Sequence, residues 1–333
     1  MRRIKILDCT LRDGGYCNNW IFGENRIGKI IDAIIQSKVD MVEYGYWDKR
    51  RCFDIHSTRI PCLNQVPDRI RANGLVMINY GETDIDTIPQ NRGDIWGIRV
   101  AFHKKEKKEA LLFCRKLKEK GYQVLIQPMV TCSYLPDEFC DMLHEANEIM
   151  PHALYIVDSF GSMQDDEMEQ YAQAAEELLD NRIGIGFHGH DNLQRVFQNA
   201  EAVICICKKH PVYLDSTIMG MGRGAGNLKT EDILEYCNQY LYADYYIEPV
   251  LNARDEVVSG FYREHPWGYT LPLDVAARHH CHPKYAQYLD GKKGLSVNGL
   301  NEIFGKIAEE KKYYYDKQYM EKVYSGYVKE NLG

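Results

Sequence analysis

The chain has 333 residues, of which 48 are acidic and 41 are basic, giving a net charge of −7 at neutral pH. This length suits one large α/β domain with an appendage, although two ordinary domains are also compatible with it. The negative charge excludes a general electrostatic attraction to nucleic acid or to anionic membranes, and no apolar run approaches the ~20 residues of a membrane span. We therefore expect small-molecule ligands.

The eleven cysteines are scattered and contain no C-x-x-C pair, which indicates reduced thiols rather than a disulfide framework. The first residues run directly into a strand pattern and carry no apolar segment typical of a secretory signal. We therefore expect a soluble, cytoplasmic protein.

Strand and helix patterns alternate from residue 4 to about residue 240. Strands are predicted at residues 4–8, 42–47, 75–80, 96–103, 123–129, 154–158, 183–192 and 212–218. Helices are predicted at 26–39, 104–120, 136–150, 164–180, 193–209 and from about 229. Eight strands separated by helices predict parallel strands closed into a TIM (β/α)8 barrel, with a doubly wound open sheet as the alternative.

The pattern changes after residue 245. Residues 246–333 show no further alternation and end in helices rich in Lys, Glu and Tyr. We predict a barrel domain over residues 1–245 and a C-terminal helical extension over 246–333, which packs on the barrel, on another subunit or on a partner enzyme. A homo-oligomer is expected. Residues 278–282 (RHHCH) raise zinc as an alternative, but consecutive residues rarely converge on one ion.

His188 and His190 are the most informative pair. Side chains two apart on a strand share a face, so both imidazoles project together at the end of the seventh strand. The alternative is a pair of hydrogen-bonded core histidines. Asp13, which follows the first strand, is the candidate third ligand because only one strand separates the first and seventh strands of a closed barrel. Such a site suits Mn²⁺, Co²⁺, Fe²⁺ or Zn²⁺, and Mg²⁺ less well.

Arg12 and the glycine-rich loop 220–227 add candidate substrate contacts. Arg12 can stabilise a developing oxyanion, or can instead form an ion pair with Asp8 or Glu43. Gly222, Arg223 and Gly224 can bring backbone N–H groups and a guanidinium to an acidic substrate. A tight structural turn and a dinucleotide-binding G-x-G-x-x-A loop are the alternatives.

Five segments together resemble one superfamily. They are LDCTLRDG (7–14), IRVAFH (98–103), VDSFG (157–161), GFHGHDN (186–192) and GMGRGAGN (220–227). Their order resembles that of the DRE-TIM metallolyases, also called HMGL-like or pyruvate carboxyltransferase-like proteins. The superfamily includes hydroxymethylglutaryl-CoA lyase, isopropylmalate and homocitrate synthases, and 4-hydroxy-2-oxovalerate aldolase.

The resemblance implies a divalent metal, Mn²⁺ above Mg²⁺, Co²⁺ or Zn²⁺, held by Asp13, His188 and His190. Asn227 would be a further ligand or would hold one of the ligands in place. The metal would bind a 2-oxo acid, and Arg12 would steady its enolate oxygen.

Differences within the superfamily favour the 4-hydroxy-2-oxovalerate aldolases. Loop 219–227 lacks the catalytic Cys of the lyase, and Gly15 and Tyr16 stand where the acyl-CoA synthases have Glu-Gln or similar. The aldolases share the segments around Arg99 and Ser159, which are therefore candidate substrate-binding residues. They have a catalytic His where Tyr16 stands, so Tyr16, His103 or a metal-bound hydroxide remains open as the base.

The sequence thus predicts a metal-dependent aldolase that makes or breaks the C–C bond between a pyruvate-type enolate and an aldehyde. A Claisen synthase that condenses an acyl-CoA with a 2-oxo acid is the alternative. A non-catalytic relative that keeps the barrel as a binding scaffold is a third hypothesis.

Overall fold

A computed structural model describes residues 3–292 and 295–331. Eight parallel strands form a closed barrel: β1 (Ile4–Asp8), β2 (Met41–Trp47), β3 (Gly74–Asn79), β4 (Gly97–Phe102), β5 (Gln123–Pro128), β6 (Ala153–Asp158), β7 (Gly184–Gly189) and β8 (Val212–Ser216). Each strand pairs with the next, and β1 closes the barrel by pairing with both β2 and β8. The predicted TIM barrel is confirmed.

In the part of the chain that the structure describes, two short helices, Thr10–Asp13 and Gly15–Asn18, follow β1, and the long α-helices around the strands are Glu24–Gln36, Lys107–Glu119, Pro136–Ile149, Asp165–Leu178, Val196–Ile206 and Thr230–Leu241. In the first of them Ile27, Ile30, Ile31 and Ile34 are buried, which is the spacing that places apolar side chains on one face of a helix. These helices lie within a few residues of the predicted ones.

The connections that follow β2 and β3 contain short 3₁₀ turns instead of α-helices. These turns are Leu63–Gln65, Asp68–Ile70 and Ile85–Thr87, and a short strand, Arg59–Ile60, pairs with the end of β2. Pro61, Pro67 and Pro89 lie in these connections. Proline lacks an N–H group and blocks a continuing helix. These two connections are therefore irregular instead of α-helical.

The glycines of β7 make room for large side chains inside the barrel. A Cβ atom at Gly184 would lie 2.3 Å from the ring of Tyr213, and one at Gly186 would lie 2.4 Å from the ring of Tyr155. On the inward face of β7, two glycines without side chains are followed by His188 near the carboxyl end of the strand. This explains the Gly-interrupted run in the sequence.

The C-terminal region is helical, as predicted. Its helices are Glu248–Ala253, Ser259–Glu264, Leu271–Arg278, Pro283–Leu289, Val297–Gly305, Glu309–Lys312 and Lys317–Asn331, and the π-helical segment Arg254–Val258 joins the first two. Apolar residues up to Trp267 belong to the barrel's core, whereas those from Leu273 to Tyr327 form a second cluster. The boundary at 245/246 stays a prediction.

The extension covers part of the barrel mouth, where the carboxyl ends of the strands lie. The ring centroids of Tyr314 and His103 are 5.0 Å apart, and those of His282 and Phe160 are 5.2 Å apart. His103 follows β4 and Phe160 follows β6, so the second cluster lies above the face that carries the chemistry in TIM barrels.

The side chains of residues 278–282 diverge. His279 stacks on Phe304 and His280 faces Glu167, while His282 packs on Phe160. Within the described residues this segment therefore does not gather ligands for zinc. All eleven cysteines are free thiols, and the described residues contain no helix that is long and apolar enough to cross a membrane.

Candidate active site

Three side chains of types that can bind a metal converge at the barrel mouth. Asp13 ends the short helix Thr10–Asp13 after β1, His188 lies in β7, and His190 follows it. One potential ligand atom from each lies within 4.8 Å of the others, and all three residues are buried. The two imidazole rings are 5.4 Å apart, as expected for residues on the same strand face.

The imidazole orientations suit ligation. Nδ1 of His188 lies 2.9 Å from Oδ2 of Asp215, which fixes the ring and leaves its Nε2 for a metal. Nδ1 of His190 is buried and has no hydrogen-bond partner among the described residues. A buried nitrogen without a partner is costly, and a cation would satisfy it.

Asn227 closes the site beside Asp13. Its amide nitrogen donates to Oδ2 of Asp13 at 2.6 Å, while its Oδ1 is buried and has no partner in the described part of the chain. A Cβ atom at Gly222 would lie 2.1 Å from that amide nitrogen and 2.8 Å from Oδ2 of Asp13. Only glycine at position 222 leaves room for these two side chains. The set of one carboxylate, two imidazoles and an amide oxygen fits a divalent cation.

Arg12 lies against the candidate ligands. Its Nη1 donates to Oδ1 of Asp13, and its Nε donates to Oε2 of Glu43 at 2.7 Å. Its Nη2 is buried and has no partner among the described residues. Arg12 therefore forms the predicted ion pair with Glu43 and also keeps one donor without a partner among the described residues. The ion pair and the stabilisation of an oxyanion are thus compatible roles for Arg12.

Arg99 lies deeper in the barrel than predicted for a substrate-binding residue. Its guanidinium is fully buried and binds Asp215, Gln127 at 2.6 Å and Glu43 at 3.1 Å, and it packs 4.4 Å from the ring centroid of Tyr155. These contacts use both edges of the guanidinium. Arg99 thus supports Asp215 and, through it, His188.

The electrostatics favour the protonation states that ligands need. Burial alone would raise the pKa of Asp13, but Arg12, His190 and His188 hold the pKa of that carboxyl well below its ordinary value. Burial lowers the pKa of His190 to about 3. At neutral pH the site therefore presents an ionised carboxylate and a neutral imidazole, the forms that coordinate a metal.

Arg223 and Ser159 are in contact. Nη2 of Arg223 donates to the carbonyl oxygen of Ser159 at 3.1 Å, while Nε of Arg223 is buried and lacks a partner among the described residues. The Ser159 hydroxyl accepts a hydrogen bond from the Val130 N–H at 2.9 Å. Ser159 therefore holds the neighbouring loop and Arg223, and Arg223 keeps a donor for an anion.

Gly224 keeps the loop tight. Its φ of +68° lies in the left-handed region, and a Cβ atom there would lie 2.7 Å from Oδ1 of Asn192. That oxygen accepts a hydrogen bond from the Ala225 N–H at 2.8 Å. The loop is thus held by Asn192, which follows the candidate ligands His188 and His190.

Tyr16 and His103 occupy different cavities. The hydroxyl of Tyr16 lies 3.1 Å from that of Tyr46, and its ring is 5.4 Å from the guanidinium of Arg223. Tyr16 lines an open groove of about 770 Å³ together with Gly222. His103 lines a separate cavity of about 230 Å³ beneath Tyr314.

Asp215 and Tyr46 were not identified from the sequence. Asp215 could have been found because it is a carboxylate within a buried strand. A buried carboxylate requires a hydrogen-bond or ion-pair partner. Tyr46 was obscured by a bulge at Gly45, where the β2–β3 register shifts. Gly45 has φ +154°, and a Cβ atom there would lie 1.9 Å from the Thr58 carbonyl oxygen.

Several known proteins are similar to this chain in sequence. Residues 100–241 match the HMGL-like family model. The chain is 24% identical to an oxaloacetate decarboxylase of Mycobacterium tuberculosis, covering 68% of this chain and 67% of that protein. It is 23% identical to a 4-hydroxy-2-oxovalerate aldolase of Carboxydothermus hydrogenoformans, covering 78% of both chains.

Solved structures show the same architecture. The N-terminal domain of a candidate aldolase from Bacteroides vulgatus superimposes with a TM-score of 0.74 at 26% identity, covering 88% of this chain and 98% of that one. The HMG-CoA lyase of Bacillus subtilis shares the fold, with a TM-score of 0.59 at 14% identity, covering 78% of this chain and 94% of that one. The family-model match and these relatives support the resemblance to the HMGL-like, or DRE-TIM metallolyase, superfamily, and proteins named as aldolases are among the relatives that the chain matches.

Proposed function

We propose that the protein is a divalent-metal-dependent aldolase that makes or breaks the C–C bond between a pyruvate-type enolate and an aldehyde. The observation that carries the proposal is the convergence of Asp13, His188 and His190 beside a free donor of Arg12. The named aldolase and decarboxylase relatives support this reaction class. We further propose Mn²⁺ as the metal and the cytoplasm as the location.

Asp13, His188 and His190 would hold the cation, with Asn227 as a further ligand or as the residue that orients Asp13. When bound, a divalent metal supplies Lewis-acid polarisation of the carbonyl of a 2-oxo acid. Asp215 keeps the His188 ring in place.

Arg12 would stabilise the negative charge that develops on the enolate oxygen. Burial alone would lower its pKa, but Glu43 and Asp13 hold the pKa of Arg12 well above its ordinary value, so it remains a cation. Its Nη2 donor is fixed in place before the reaction begins, which is the arrangement that makes oxyanion stabilisation effective. The free Nε of Arg223 is the second donor we assign to the acidic substrate.

Tyr16 is our candidate for proton transfer. In the cleavage direction Tyr16, acting as the phenolate, would take the proton of the 4-hydroxyl, the C3–C4 bond would break, and the aldehyde would leave. The electron pair remains on the enolate, and the proton that Tyr16 took would be returned to C3, which gives pyruvate and restores the phenolate. Tyr46 would share the proton through the 3.1 Å contact. We rank His103 below Tyr16 as a candidate for proton transfer, because His103 lies in the separate cavity beneath Tyr314.

Two measurements test the proposal. With Mn²⁺ present, the protein should catalyse solvent deuterium exchange into the methyl group of pyruvate, and should release pyruvate from 4-hydroxy-2-oxopentanoate. Asp13→Asn or chelation should lower both rates by at least about 100-fold, because several kcal/mol of charge stabilisation is lost. Full rates without metal would refute the proposal.

The Claisen synthase remains the alternative. It predicts that free CoA, detected with a thiol reagent, appears when acetyl-CoA is mixed with a panel of 2-oxo acids. Release of CoA without any pyruvate exchange would favour it. A metal-free purified protein that fails in all of these assays would instead support the scaffold hypothesis.

A further inference from the structure

The groove of about 770 Å³ opens directly beside the candidate metal centre. Its walls come from the turn after β1, the loop after β8 and the C-terminal extension. Gly222 lines the groove and also lies against Asp13, since a Cβ atom there would come within 2.8 Å of Oδ2 of Asp13. The groove and the candidate ligand Asp13 therefore lie on either side of Gly222.

The groove is large for a simple aldehyde. Cavities of about 300–1,000 Å³ hold drug-sized ligands. A two- or three-carbon aldehyde would leave most of this space filled with water. The volume therefore favours a longer partner for the enolate.

Three partly exposed tyrosines line the groove. Tyr16 follows β1, Tyr262 lies in the helix Ser259–Glu264, and Tyr269 precedes the helix Leu271–Arg278. Polar side chains share these walls: His265, Thr270, Gln287 and Asp290. Aromatic faces pack against the C–H groups of a carbon chain while polar groups bind its hydroxyls.

Positive charge lies on two sides of the groove. Arg223 belongs to the loop after β8 and has a buried Nε without a partner among the described residues. Lys284 belongs to the extension, and in the part of the chain that the structure describes it forms no ion pair with a carboxylate. Asp290 offsets one of these charges, so the groove still favours an anion.

We propose that this groove binds the aldehyde partner, and that this partner is a polyhydroxylated, sugar-derived aldehyde with an anionic group at the end away from its carbonyl. The proposal rests on the proposed aldolase function. In the reaction, the enolate carbon of pyruvate bonds to the aldehyde carbon, and the aldehyde oxygen receives the C=O electron pair and then a proton. The step requires no oxidant or reductant.

The experiment uses the full chain with Mn²⁺ and pyruvate, and compares propanal, D-glyceraldehyde, D-glyceraldehyde 3-phosphate and D-glucuronate. We expect kcat/KM for at least one anionic sugar aldehyde to exceed that for propanal by more than about tenfold, which corresponds to 1.4 kcal/mol of transition-state binding. Comparison of D-glyceraldehyde 3-phosphate with D-glucuronate shows whether the groove prefers a phosphate or a carboxylate.

Two variants locate the effect in the groove. Lys284→Gln should lower the preference for the anionic aldehyde over D-glyceraldehyde by about fivefold, as loss of an exposed ion pair does, whereas Lys322→Gln, elsewhere on the extension, should not. Tyr269→Ala should lower kcat/KM for the sugars and not for propanal, with Tyr240→Ala on the barrel's outer helix as its control.

Equal or better use of propanal would overturn the inference, as would a Lys284→Gln variant that lowers all rates alike. Deuterium exchange into pyruvate needs no aldehyde and separates the two proposals. Exchange without sugar preference rejects the groove inference alone. Absence of exchange rejects the aldolase and the inference together.

Discussion

The position of individual side chains decides whether this barrel can hold a metal. The sequence placed His188 and His190 on one face because a strand repeats every two residues, and the structure brings them together with Asp13. The prediction for Arg99 did not account for its depth, because Arg99 is the third residue of β4 and does not lie at the carboxyl end of that strand. Arg99 is buried and binds Asp215, and its role in substrate binding stays a prediction.

Gly222 gives a direct test of the local packing. Gly222→Ala would place a Cβ atom 2.1 Å from the amide nitrogen of Asn227, so that Asn227 and Asp13 must move. We expect the affinity for Mn²⁺ to fall at least about tenfold, in the range seen when groups that orient metal ligands are lost. Calorimetric titration measures it.

The control is Gly28→Ala, in the helix Glu24–Gln36. The nearest atom to a Cβ there is Nη2 of Arg69 at 3.6 Å, so the substitution fits. It should leave the Mn²⁺ affinity unchanged. A Gly222→Ala variant that binds Mn²⁺ as well as the wild type would contradict our account of Asn227.

Asp158 should make stability depend on pH. Its carboxylate accepts the N–H groups of Ser162 at 2.9 Å and Met163 at 3.1 Å, but burial dominates and raises its pKa to about 7. The folded state therefore holds the proton more tightly than the unfolded state. The contribution of Asp158 to the free energy of unfolding is complete below the unfolded pKa of ~3.9. It is lost as pH rises to about 7, and the loss amounts to up to about 4 kcal/mol.

Urea unfolding of the metal-free protein at pH 4.5 and pH 7.5 measures this effect. The free energy of unfolding of the wild type relative to that of Asp158→Asn should fall between these two pH values, because groups that titrate elsewhere, such as His190, are common to both proteins. The exposed Asp166→Asn is the control and should follow the wild type. An Asp158→Asn variant with the full pH dependence would show that other groups cause it.

At the level of elements, the period of the apolar pattern predicted most of the barrel. The helices with clear amphipathic spacing, such as Glu24–Gln36, were found where expected. The bulge at Gly45 was not predictable, because one inserted residue changes which side chains face inward without changing the composition of the strand. It directs Tyr46 toward Tyr16, and so a residue of the candidate site was missed.

Tyr285 organises the C-terminal extension. Its side chain is fully buried, and its hydroxyl donates toward the carbonyl oxygens of Lys311 and Tyr314, both at 2.9 Å, while the Asp316 N–H lies 3.2 Å away. Tyr285→Phe leaves these groups without their partner. We expect a loss of about 1–3 kcal/mol in the free energy of unfolding.

Chemical denaturation monitored by circular dichroism measures that loss. Tyr288→Phe, in the same helix, is the matched control, because its ring packs against Tyr324 and should keep that contact. Equal stability of Tyr285→Phe and the wild type would mean that the hydroxyl network contributes little.

For the whole molecule, the fold and the resemblance to HMGL-like proteins could be read from the sequence, whereas the arrangement of the extension could not. The contact between Tyr314 and His103 joins residues 211 positions apart, and no local pattern indicates it. The contact puts part of the extension over the barrel mouth, and other residues of the extension, between 262 and 290, line the groove. A homo-oligomer, or a partner enzyme bound through the extension, remains a prediction.

The central claim is that one divalent cation is held by Asp13, His188 and His190. Calorimetric titration of Mn²⁺ into the metal-free chain tests it most directly. We predict one site per chain, lost in Asp13→Asn and in His190→Ala while circular dichroism shows the barrel intact. Unchanged Mn²⁺ binding in both folded variants would contradict the claim.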